Sequence, residues 1–431
     1  MAEYKRPENE AEFSDNFKLK KPLMNPTQAY YESSRCLYCY DAPCMNVCPT
    51  SIDIPLFIKQ INTGNVEGAA KTIYDSNWLG NACATVCPTG VLCEGSCVYN
   101  KRDVPPLQIG RLQNFATRKL IDSGKKIYEP GKDNGKKVAI IGAGPAGIAC
   151  ACELRLLGYT VDMFESKEKP SGLIVYGIAP YKITNKEALD EVAYLENQLG
   201  FSIKFNSQIK TKEELKELER DYDAIFLGLG LGSTAYRNIP GEEKDGVLGG
   251  VEFVEDLRMN HHKTLVGNKV VVLGGGNTAM DVASECARMG AEKVTLVYRG
   301  DRKKMKAYDF EYDLAISSGV KGIFDASPLE IIGDEKVKGV KFKRNNGEEF
   351  IIPSDMVIKA TGQAKQKDFY DMIDDLDLDS DSTIKVEQTT NQTTNKKYFA
   401  GGDAINGGAE VVNAAYDGKI AAKGIHKWLN K

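Results

Sequence analysis

Two groups of cysteines have spacings that could hold metal. The first is spaced C-x2-C-x4-C-x3-C and the second C-x3-C-x5-C-x3-C. Thiolates at such intervals ligate iron–sulfur clusters, and a proline directly after the last cysteine of the first group is typical of [4Fe–4S] ligand runs. The eight residues are Cys36, Cys39, Cys44 and Cys48, then Cys83, Cys87, Cys93 and Cys97.

Zinc is the alternative interpretation of these groups, because four thiolates also suit a tetrahedral structural zinc site. A zinc knuckle normally closes with a second C-x2-C pair or with histidines, whereas the chain has three histidines and none precedes His261. Disulfides are expected less, since the first residues are charged and lack the apolar core of a secretory signal. A reducing, cytoplasmic compartment is therefore expected.

A glycine-rich loop follows an apolar run and precedes a helical stretch and a second apolar strand, which ends at Glu165. In a βαβ unit such glycines permit a tight turn and close approach of a pyrophosphate, while the acidic residue binds ribose hydroxyls. The pattern predicts a dinucleotide site. Its loop residues are Gly142, Ala143, Gly144, Pro145, Ala146 and Gly147.

A second βαβ pattern has a G-x-G-x-x-A loop, but no acidic residue ends its second strand. Arg299 stands there, and a basic run that includes Lys306 follows. Because cations suit a ribose 2′-phosphate, NADPH is expected over NADH, which stays possible. The alternative is a solvated basic loop. The predicted loop residues are Gly274, Gly275, Gly276, Asn277 and Thr278.

The elements that position these residues suggest an α/β fold with a helical N-terminal iron–sulfur domain and two nested Rossmann-like domains. Residues 1–130 contain helical patterns and no strand-like run. We predict a discontinuous dinucleotide domain over 136–235 and 353–431, interrupted by a second nucleotide domain over 236–352. The net charge of −4 and the absence of a long apolar run argue against nucleic acid and membrane as partners.

The nested arrangement resembles flavoprotein disulfide-reductase-like enzymes, in which the aspartate of a late Gly-Gly-Asp turn contacts the ribityl chain of FAD. That turn corresponds here to Gly402 and Asp403. The resemblance implies FAD on the first loop and NAD(P)H on the second. A redox C-x-x-C is missing from both nucleotide domains, and Cys150, Cys152 and Cys286 are expected to be small buried residues. Electrons would then leave through the N-terminal clusters.

The whole chain resembles the NAD(P)H-oxidising, iron–sulfur portion of dihydropyrimidine dehydrogenase, and less closely the glutamate synthase small subunit and electron-bifurcating transhydrogenase subunits. The resemblance rests on the runs RCLYCYDAPCMNVCPTSIDIPLFI, GAAKTIYDSNWLGNACATVCPTGVLCEGSC and IGRLQNFAT. It implies two [4Fe–4S] clusters with interleaved ligands, and it leaves Cys83 as a packing residue. One cluster would use Cys36, Cys39, Cys44 and Cys97, and the other Cys48, Cys87, Cys93 and Gln113.

The resemblance also implies contacts to the two nucleotides beyond the glycine loops. Two departures lie on the flavin side: Ser171 replaces the first glycine of Gly-Gly-Leu, and the Gly-Ile-Pro-x-Phe-Arg pattern ends in Lys182. These leave FAD binding intact and put the partner in doubt. The implied cofactor-binding residues outside the loops are Glu165, Gly172, Leu173, Lys182, Gly402 and Asp403 for FAD, Arg299 and Lys306 for NADPH, and in addition Ala360 and Gly362.

The implied function is that of an electron-input subunit, which takes a hydride from NADPH onto FAD and passes single electrons through the clusters. No catalytic acid or base is expected. Since an FMN barrel needs about 250 residues, the resemblance implies a hetero-oligomer with a separate catalytic subunit, either an FMN dihydropyrimidine type or a glutamate synthase large subunit. The alternatives are a free-standing NADPH:ferredoxin-type reductase and a non-enzymatic redox sensor.

Overall fold

The computed structural model describes residues 4–430, which fall into two compact units. The large unit comprises 20–175, 182–231 and 365–430, and the small unit comprises 4–19, 176–181 and 232–364. Each contains a five-stranded parallel sheet, so the predicted α/β class is confirmed. Among the described residues no helix is long and apolar enough to cross a bilayer. The domain limits drawn from the sequence stay a prediction.

The N-terminal region is helical, and its loops carry the cysteines. Local signals start several of these helices: Asn25 and Gln28 form a reciprocal capping box, and Asp53 accepts a hydrogen bond from the amide of Leu56. The helices are α1 (Glu10–Asn16), α2 (Pro26–Ser34), α3 (Pro43–Asn46), α4 (Ile54–Asn62), α5 (Val66–Ser76), α6 (Gly80–Val86) and α7 (Ile109–Ser123).

The large unit continues as an alternation of strands and helices that positions the first glycine loop between β1 and α8. β1 and β4 are apolar and almost fully buried, as expected for parallel strands covered on both faces. The elements are β1 (Lys137–Ile141), α8 (Pro145–Leu156), β2 (Thr160–Phe164), α9 (Leu173–Tyr176), α10 (Asn185–Leu199), β3 (Ser202–Lys204), α11 (Lys212–Asp221) and β4 (Ala224–Leu227).

The small unit has a parallel sheet in the order β5-β12-β6-β7-β8 and an antiparallel sheet in the order β11-β10-β9. The antiparallel sheet is absent from the sequence prediction. The elements are β5 (Val247–Gly249), α12 (Gly250–Asn260), β6 (Lys269–Leu273), α13 (Asn277–Arg288), β7 (Lys293–Val297), α14 (Asp309–Ser317), β8 (Lys321–Ile323), β9 (Ala326–Gly333), β10 (Val337–Arg344), β11 (Glu349–Pro353) and β12 (Met356–Lys359).

The chain then completes the large unit's sheet, whose order is β13-β4-β1-β2-β3. β13 pairs in parallel with β4, so the sheet joins two distant segments of the chain. The last helix packs on α8, where a side chain at Gly418 would overlap the carbonyl oxygen of Ala146. The closing elements are α15 (Lys367–Tyr370), β13 (Tyr398–Ala400), α16 (Asp403–Asn406) and α17 (Val411–Leu429).

The N-terminal arm, residues 4–19, belongs to the small unit. Phe13 and Phe17 are buried in the core of that unit, and their rings stack with centroids 4.4 Å apart. Asn16 donates a hydrogen bond to the carbonyl of Arg288 at 2.7 Å, and Arg288 donates one back to the carbonyl of Asn16 at 2.6 Å. The arm is therefore attached by both apolar packing and reciprocal hydrogen bonds.

Candidate functional site

The first glycine loop makes its tight turn where β1 meets α8. Gly142 has φ +100°, and a side chain there would overlap the carbonyl oxygen of Gly228. A side chain at Gly147 would overlap the carbonyl oxygen of Gly142, so the helix can approach the strand only with glycine. No described side chain caps the N-terminus of α8. Its first-turn amides can therefore receive an anionic ligand such as a pyrophosphate.

Glu165 is held against this loop. One carboxylate oxygen accepts a hydrogen bond from the amide of Ala143 at 2.8 Å, and the other accepts from the amide of Lys167 at 2.9 Å. The side chain is buried and its direction is fixed from both sides. Binding of a ribose by this carboxylate stays a prediction.

Ser171, Gly172 and Leu173 cover the same loop. The Ser171 amide donates to the carbonyl of Ala143 at 2.8 Å, and a side chain at Gly172 would lie 3.0 Å from the Cα of Gly144. The Ser171 hydroxyl is fully buried and has no hydrogen-bond partner among the described residues. A buried hydroxyl beside an uncapped helix terminus fits the binding of a polar cofactor here.

The Gly-Gly-Asp turn after β13 reaches this place from the other end of the chain. Gly402 has φ +69°, and its position lies against Ala146 of the first loop. Burial raises the pKa of Asp403, whose carboxylate accepts a hydrogen bond from the amide of Ala409 at 3.1 Å. Lys182 lies in the same large unit. The structure thus brings the Gly402–Asp403 turn beside the first loop. Contact of Asp403 with a flavin stays a prediction.

Asp417 supports the turn and was missed from the sequence. It lies on α17, and its carboxylate accepts a hydrogen bond from the amide of Gly402 at 3.0 Å. Burial raises its pKa to about 6. The signal available was the single acidic residue of α17, directly before Gly418.

The second glycine loop lies between β6 and α13. Gly274 has φ +155°, and a side chain there would overlap the carbonyl oxygen of Ala360, which brings the Ala360–Gly362 segment against the loop. A side chain at Gly275 would overlap the ring of Tyr298, whereas one at Gly276 would meet no protein atom within 4 Å. Gly276 therefore faces open space into which a ligand can fit.

The basic run is tied to this loop by its backbone. The carbonyl of Gly275 accepts hydrogen bonds from the amides of Lys306 and Ala307 at 3.1 and 3.0 Å, and Asn277 accepts one from the amide of Tyr308 at 3.1 Å. These hydrogen bonds hold the backbone of Lys306 beside the glycine loop. Thr278 lies beside Asn277 in the first turn of α13.

The cations of the basic run differ in their partners. Arg302 pairs with Asp309 at 2.7 Å and Lys304 with Asp301 at 3.6 Å. Arg299 and Lys306 form no ion pair with any other described residue. These two cations are therefore available to a bound anion.

The cysteines form two spatial sets that do not follow their order in the chain. Burial raises the pKa of the Cys36 thiol, and the nearby Cys39 and Cys97 thiols add to the rise. Burial raises the pKa of Cys44 to about 12, with Cys36 and Cys97 again as neighbouring thiols. The first set therefore contains Cys97 from the second sequence group.

The second set contains Cys48 from the first sequence group. A hydrogen bond to the Cys83 thiol raises the pKa of the Cys87 thiol, and burial raises it further. Burial raises the pKa of Cys93, and Glu94, Cys87 and Cys48 add to the rise. All described cysteines are free thiols, and Cys150, Cys152 and Cys286 are fully buried.

Gln113 is buried, and its side-chain amide donates to the carbonyl of Gly80 at 2.7 Å. This bond assigns Nε2 as the donor, and Oε1 receives no hydrogen bond from the described residues. Among residues 4–430 no three Cys, His, Asp or Glu side chains converge on a single ion. The donors in both sets are mainly thiols, the ligand type that holds iron–sulfur clusters.

Comparisons with known proteins match both parts of the chain. The family model described as pyridine nucleotide-disulphide oxidoreductase matches residues 136–418. The model described as dihydropyrimidine dehydrogenase domain II, 4Fe-4S cluster, matches residues 13–125. A 4Fe-4S domain and a pyridine nucleotide domain therefore lie side by side in the sequence.

Curated relatives are similar over nearly their whole length. The chain is 34% identical to the glutamate synthase [NADPH] small chain of Escherichia coli K12, covering 93% of this chain and 92% of the relative. It is 35% identical to the NAD-dependent dihydropyrimidine dehydrogenase subunit PreT of the same organism, covering 95% and 96%.

Solved structures share the fold at lower identity. Mycobacterium tuberculosis FprA in complex with NADPH has a TM-score of 0.58 at 20% identity, covering 68% of this chain and 84% of that one. The thioredoxin reductase of T. acidophilum has a TM-score of 0.55 at 22% identity, covering 69% of this chain and 100% of that one. The chain therefore belongs to the pyridine nucleotide-disulphide oxidoreductase family and is an NAD(P)H-dependent iron–sulfur flavoprotein of the glutamate synthase small-chain and PreT type.

Proposed function

We propose that the chain is the electron-input subunit of a reductase complex, which oxidises NADPH at FAD and delivers single electrons through two [4Fe–4S] clusters. The observation that carries the proposal is the presence, in one chain, of two differently equipped glycine loops and two spatial sets of thiols. When bound, the flavin accepts a hydride and the clusters pass on one electron at a time. The protein binds, orients and shields these groups.

The FAD site is assigned to the loop after β1. The α8 amides face the pyrophosphate, Glu165 binds the ribose and Asp403 contacts the ribityl chain. The assignment is supported by the fixed direction of Glu165 and by the buried Ser171 hydroxyl, which supplies a further polar contact. Gly172, Leu173 and Lys182 complete the flavin side.

The NADPH site is assigned to the loop after β6. Arg299 and Lys306 bind the 2′-phosphate, which the unpaired state of both cations within the described residues supports. Gly276 gives the pyrophosphate room to approach. NADH would leave both cations without their anion, so a preference for NADPH follows.

The clusters are assigned to interleaved ligands. Cys36, Cys39, Cys44 and Cys97 hold one cluster, and their mutual proximity supports this set. Cys48, Cys87 and Cys93 hold the other, with Gln113 binding through Oε1, since its Nε2 is engaged by Gly80. Cys83, hydrogen-bonded to Cys87, is the competing fourth ligand.

The terminal acceptor is assigned to a separate catalytic subunit. The relatives named above are a small chain and a subunit, and a further one is the subunit beta of an NADP(+)-dependent formate dehydrogenase from Moorella thermoacetica, 32% identical over 90% of this chain. An FMN subunit of dihydropyrimidine type is the first candidate, with a glutamate synthase large subunit and free-standing turnover with ferredoxin as alternatives. We place the complex in the reducing cytoplasm.

Anaerobic purification of the tagged protein from its own cells tests the proposal. Flavin, iron and sulfide are counted, and co-purifying proteins are identified by mass spectrometry. We expect one FAD, iron and sulfide for two four-iron clusters, NADPH-driven bleaching of both chromophores and an FMN subunit. One cluster only, or bleaching by NADPH confined to the flavin, would contradict the electron route. Recovery of the chain alone with full cofactors would favour a free-standing reductase.

A further inference from the structure

Lys21 reaches the loop of the second thiol set. Its ammonium donates to the carbonyl of Cys87 at 3.0 Å and to the hydroxyl of Thr89 at 3.1 Å. The carbonyl of Cys87 also accepts from the amide of Thr89 at 2.8 Å, and Thr89 itself is buried. The cation is thus held at the backbone of a proposed cluster ligand, in a half-buried position where its field is less screened than at a free surface.

The backbone beside Lys21 is fixed. Arg111 on α7 donates to the carbonyl of Pro22 at 2.8 Å, and Met24 is buried. Arg111 is two residues from Gln113, so the same helix carries both the anchor of the Lys21 segment and the proposed amide ligand. The position of the ammonium is therefore set by the fold and does not depend on the lysine side chain alone.

Charged side chains surround the second thiol set. The carboxylate of Glu410 lies near Cys87 and that of Glu94 near Cys93, and Glu94 accepts a hydrogen bond from the amide of Gly110 at 2.9 Å. Within the described residues, Lys21 is the cation whose side chain is hydrogen-bonded to the backbone of this set.

The first thiol set has no equivalent cation. In the described part of the chain no lysine or arginine is hydrogen-bonded to any of its four cysteines. Arg35, next to Cys36, is paired with Glu32 at 2.7 Å, and Lys59 lies over the ring of Tyr38 at 5.2 Å. The second set therefore has a fixed cation that the first set lacks, alongside the carboxylates of Glu94 and Glu410.

We infer that Lys21 is a positioning and tuning residue that raises the reduction potential of the cluster held by Cys48, Cys87 and Cys93. The inference rests on the proposed function. Reduction adds one electron, supplied by NADPH through the flavin, and hence one negative charge beside the ammonium. A neighbouring cation stabilises that charge, and net charge is one of the determinants of cluster potential. A neutral amide ligand in place of a thiolate acts in the same direction.

The test is an anaerobic redox titration of the holoprotein followed by electron paramagnetic resonance. In Lys21→Gln, which keeps a hydrogen-bond donor but no charge, we expect one cluster to shift to a more negative potential while the other stays unchanged. Lys21→Arg should retain the native potential because it keeps the charge. Lys18→Met is the matched control, since Lys18 forms an exposed ion pair with Asp15 at 3.1 Å.

The outcomes separate this inference from the proposed function. Two clusters with native potentials in Lys21→Gln would overturn the role of Lys21 and leave the electron route intact. Equal shifts of both clusters would also overturn it, because the charge would then act without discrimination. If Lys21→Gln loses one cluster, Lys21→Met and Lys21→Arg are titrated instead. Loss of that cluster in Lys21→Arg as well would show a structural role and would contradict the tuning role. A wild-type protein with one cluster would refute the proposed ligand scheme itself.

Discussion

The two five-stranded parallel sheets have the same architecture but differ at the end of one strand. In both, a glycine loop follows the central strand, β1 or β6, and a helix begins directly after it. After β2 the large unit places Glu165, bonded to its own loop. After β7 the small unit places Arg299, which is followed by the anchored Lys306. One repeated βαβ design thus presents opposite charges to its ligand.

The sheets also differ at the edge strand. In the large unit β13 leads into Gly402 and Asp403, with Asp417 bonded beneath the turn. In the small unit the edge strand β5 leads directly into α12 at Gly250, and the acidic residue of its first turn, Glu252, accepts a hydrogen bond from the amide of Thr234 at 2.9 Å. Under the proposed assignment, the parallel scaffold supplies phosphate binding in both units, and a few residues beyond the strand ends decide which nucleotide each unit accepts.

The largest effect is expected from the backbone geometry of the first glycine loop. If that loop tolerates a side chain at position 142, the comparison of the two units fails. Gly142→Val forces a side chain onto the carbonyl of Gly228 at φ +100°, at a cost on the order of 3 kcal/mol. We expect almost complete loss of FAD, measured by flavin release. Gly276→Ala is the matched variant, because its methyl group meets no protein atom within 4 Å. It should retain FAD, and flavin loss in both variants would contradict separate sites.

A smaller effect is expected from the acidic residue of the large unit. Glu165→Ala removes a charged hydrogen-bond acceptor, a loss of about 1.5–3 kcal/mol, or roughly 10- to 100-fold in affinity. FAD affinity of the apoprotein, measured by fluorescence quenching, should fall by that factor. Glu168→Ala controls for charge, since Glu168 is exposed and pairs with Lys169 at 3.3 Å. An equal loss of FAD affinity in both variants would show that Glu165 acts only through the net charge of the protein.

The opposite charge of the small unit is tested by coenzyme choice. Arg299→Ala combined with Lys306→Ala should raise the KM for NADPH about tenfold or more, by loss of contacts to the 2′-phosphate, and leave the KM for NADH nearly unchanged. Arg302→Ala combined with Lys304→Ala should have less effect, because both cations are already paired. Steady-state kinetics with an artificial acceptor measures all four values. Similar changes in the KM for NADPH and in the KM for NADH would contradict the assignment of Arg299 and Lys306 to the 2′-phosphate.

The last effect concerns pH and Asp417, and its readout is folding stability instead of ligand binding. Its folded pKa of about 6 lies above the usual carboxyl value, so the folded state binds the proton more tightly than the unfolded state. The free energy of unfolding should therefore fall by about 3 kcal/mol as pH rises from about 4 to about 6 and stay level above, since each pKa unit corresponds to about 1.4 kcal/mol. Asp417→Asn should lose that dependence. Chemical denaturation at about pH 5 and pH 8 measures the difference, and parallel curves for both proteins would contradict the raised pKa.

Local patterns were sufficient to predict both glycine loops and the strands that flank them. Gly142 and Gly274 each follow a short apolar run and precede a helical stretch, and these signals depend only on neighbours in sequence. The antiparallel sheet over Ala326–Pro353 was not predicted, since its strands mix charged and apolar residues without strict alternation. Its stability comes from pairing, which a single segment does not reveal.

Contacts between distant segments were the harder part. Phe13 and Phe17 sit in a charged stretch, and nothing local indicates that they are buried in the small unit. Spacing alone would have given each sequence group of cysteines its own cluster. In the structure, Cys97 lies with the first sequence group and Cys48 with the second. The resemblance supplied that crossing, and Lys21 and Asp417 became visible only from their bonds.

The parallel pairing of β13 with β4 has a consequence for biosynthesis. The first glycine loop leaves the ribosome early, but the edge strand, the Asp403 turn and the helix that packs on α8 are translated only after the whole small unit. Until then the nascent sheet lacks one edge and exposes the apolar face that α17 will cover. Under the proposed assignment, flavin loading is therefore a late event. A ribosome that stalls within the small unit releases a chain that has the first glycine loop but lacks the Gly402–Asp403 turn.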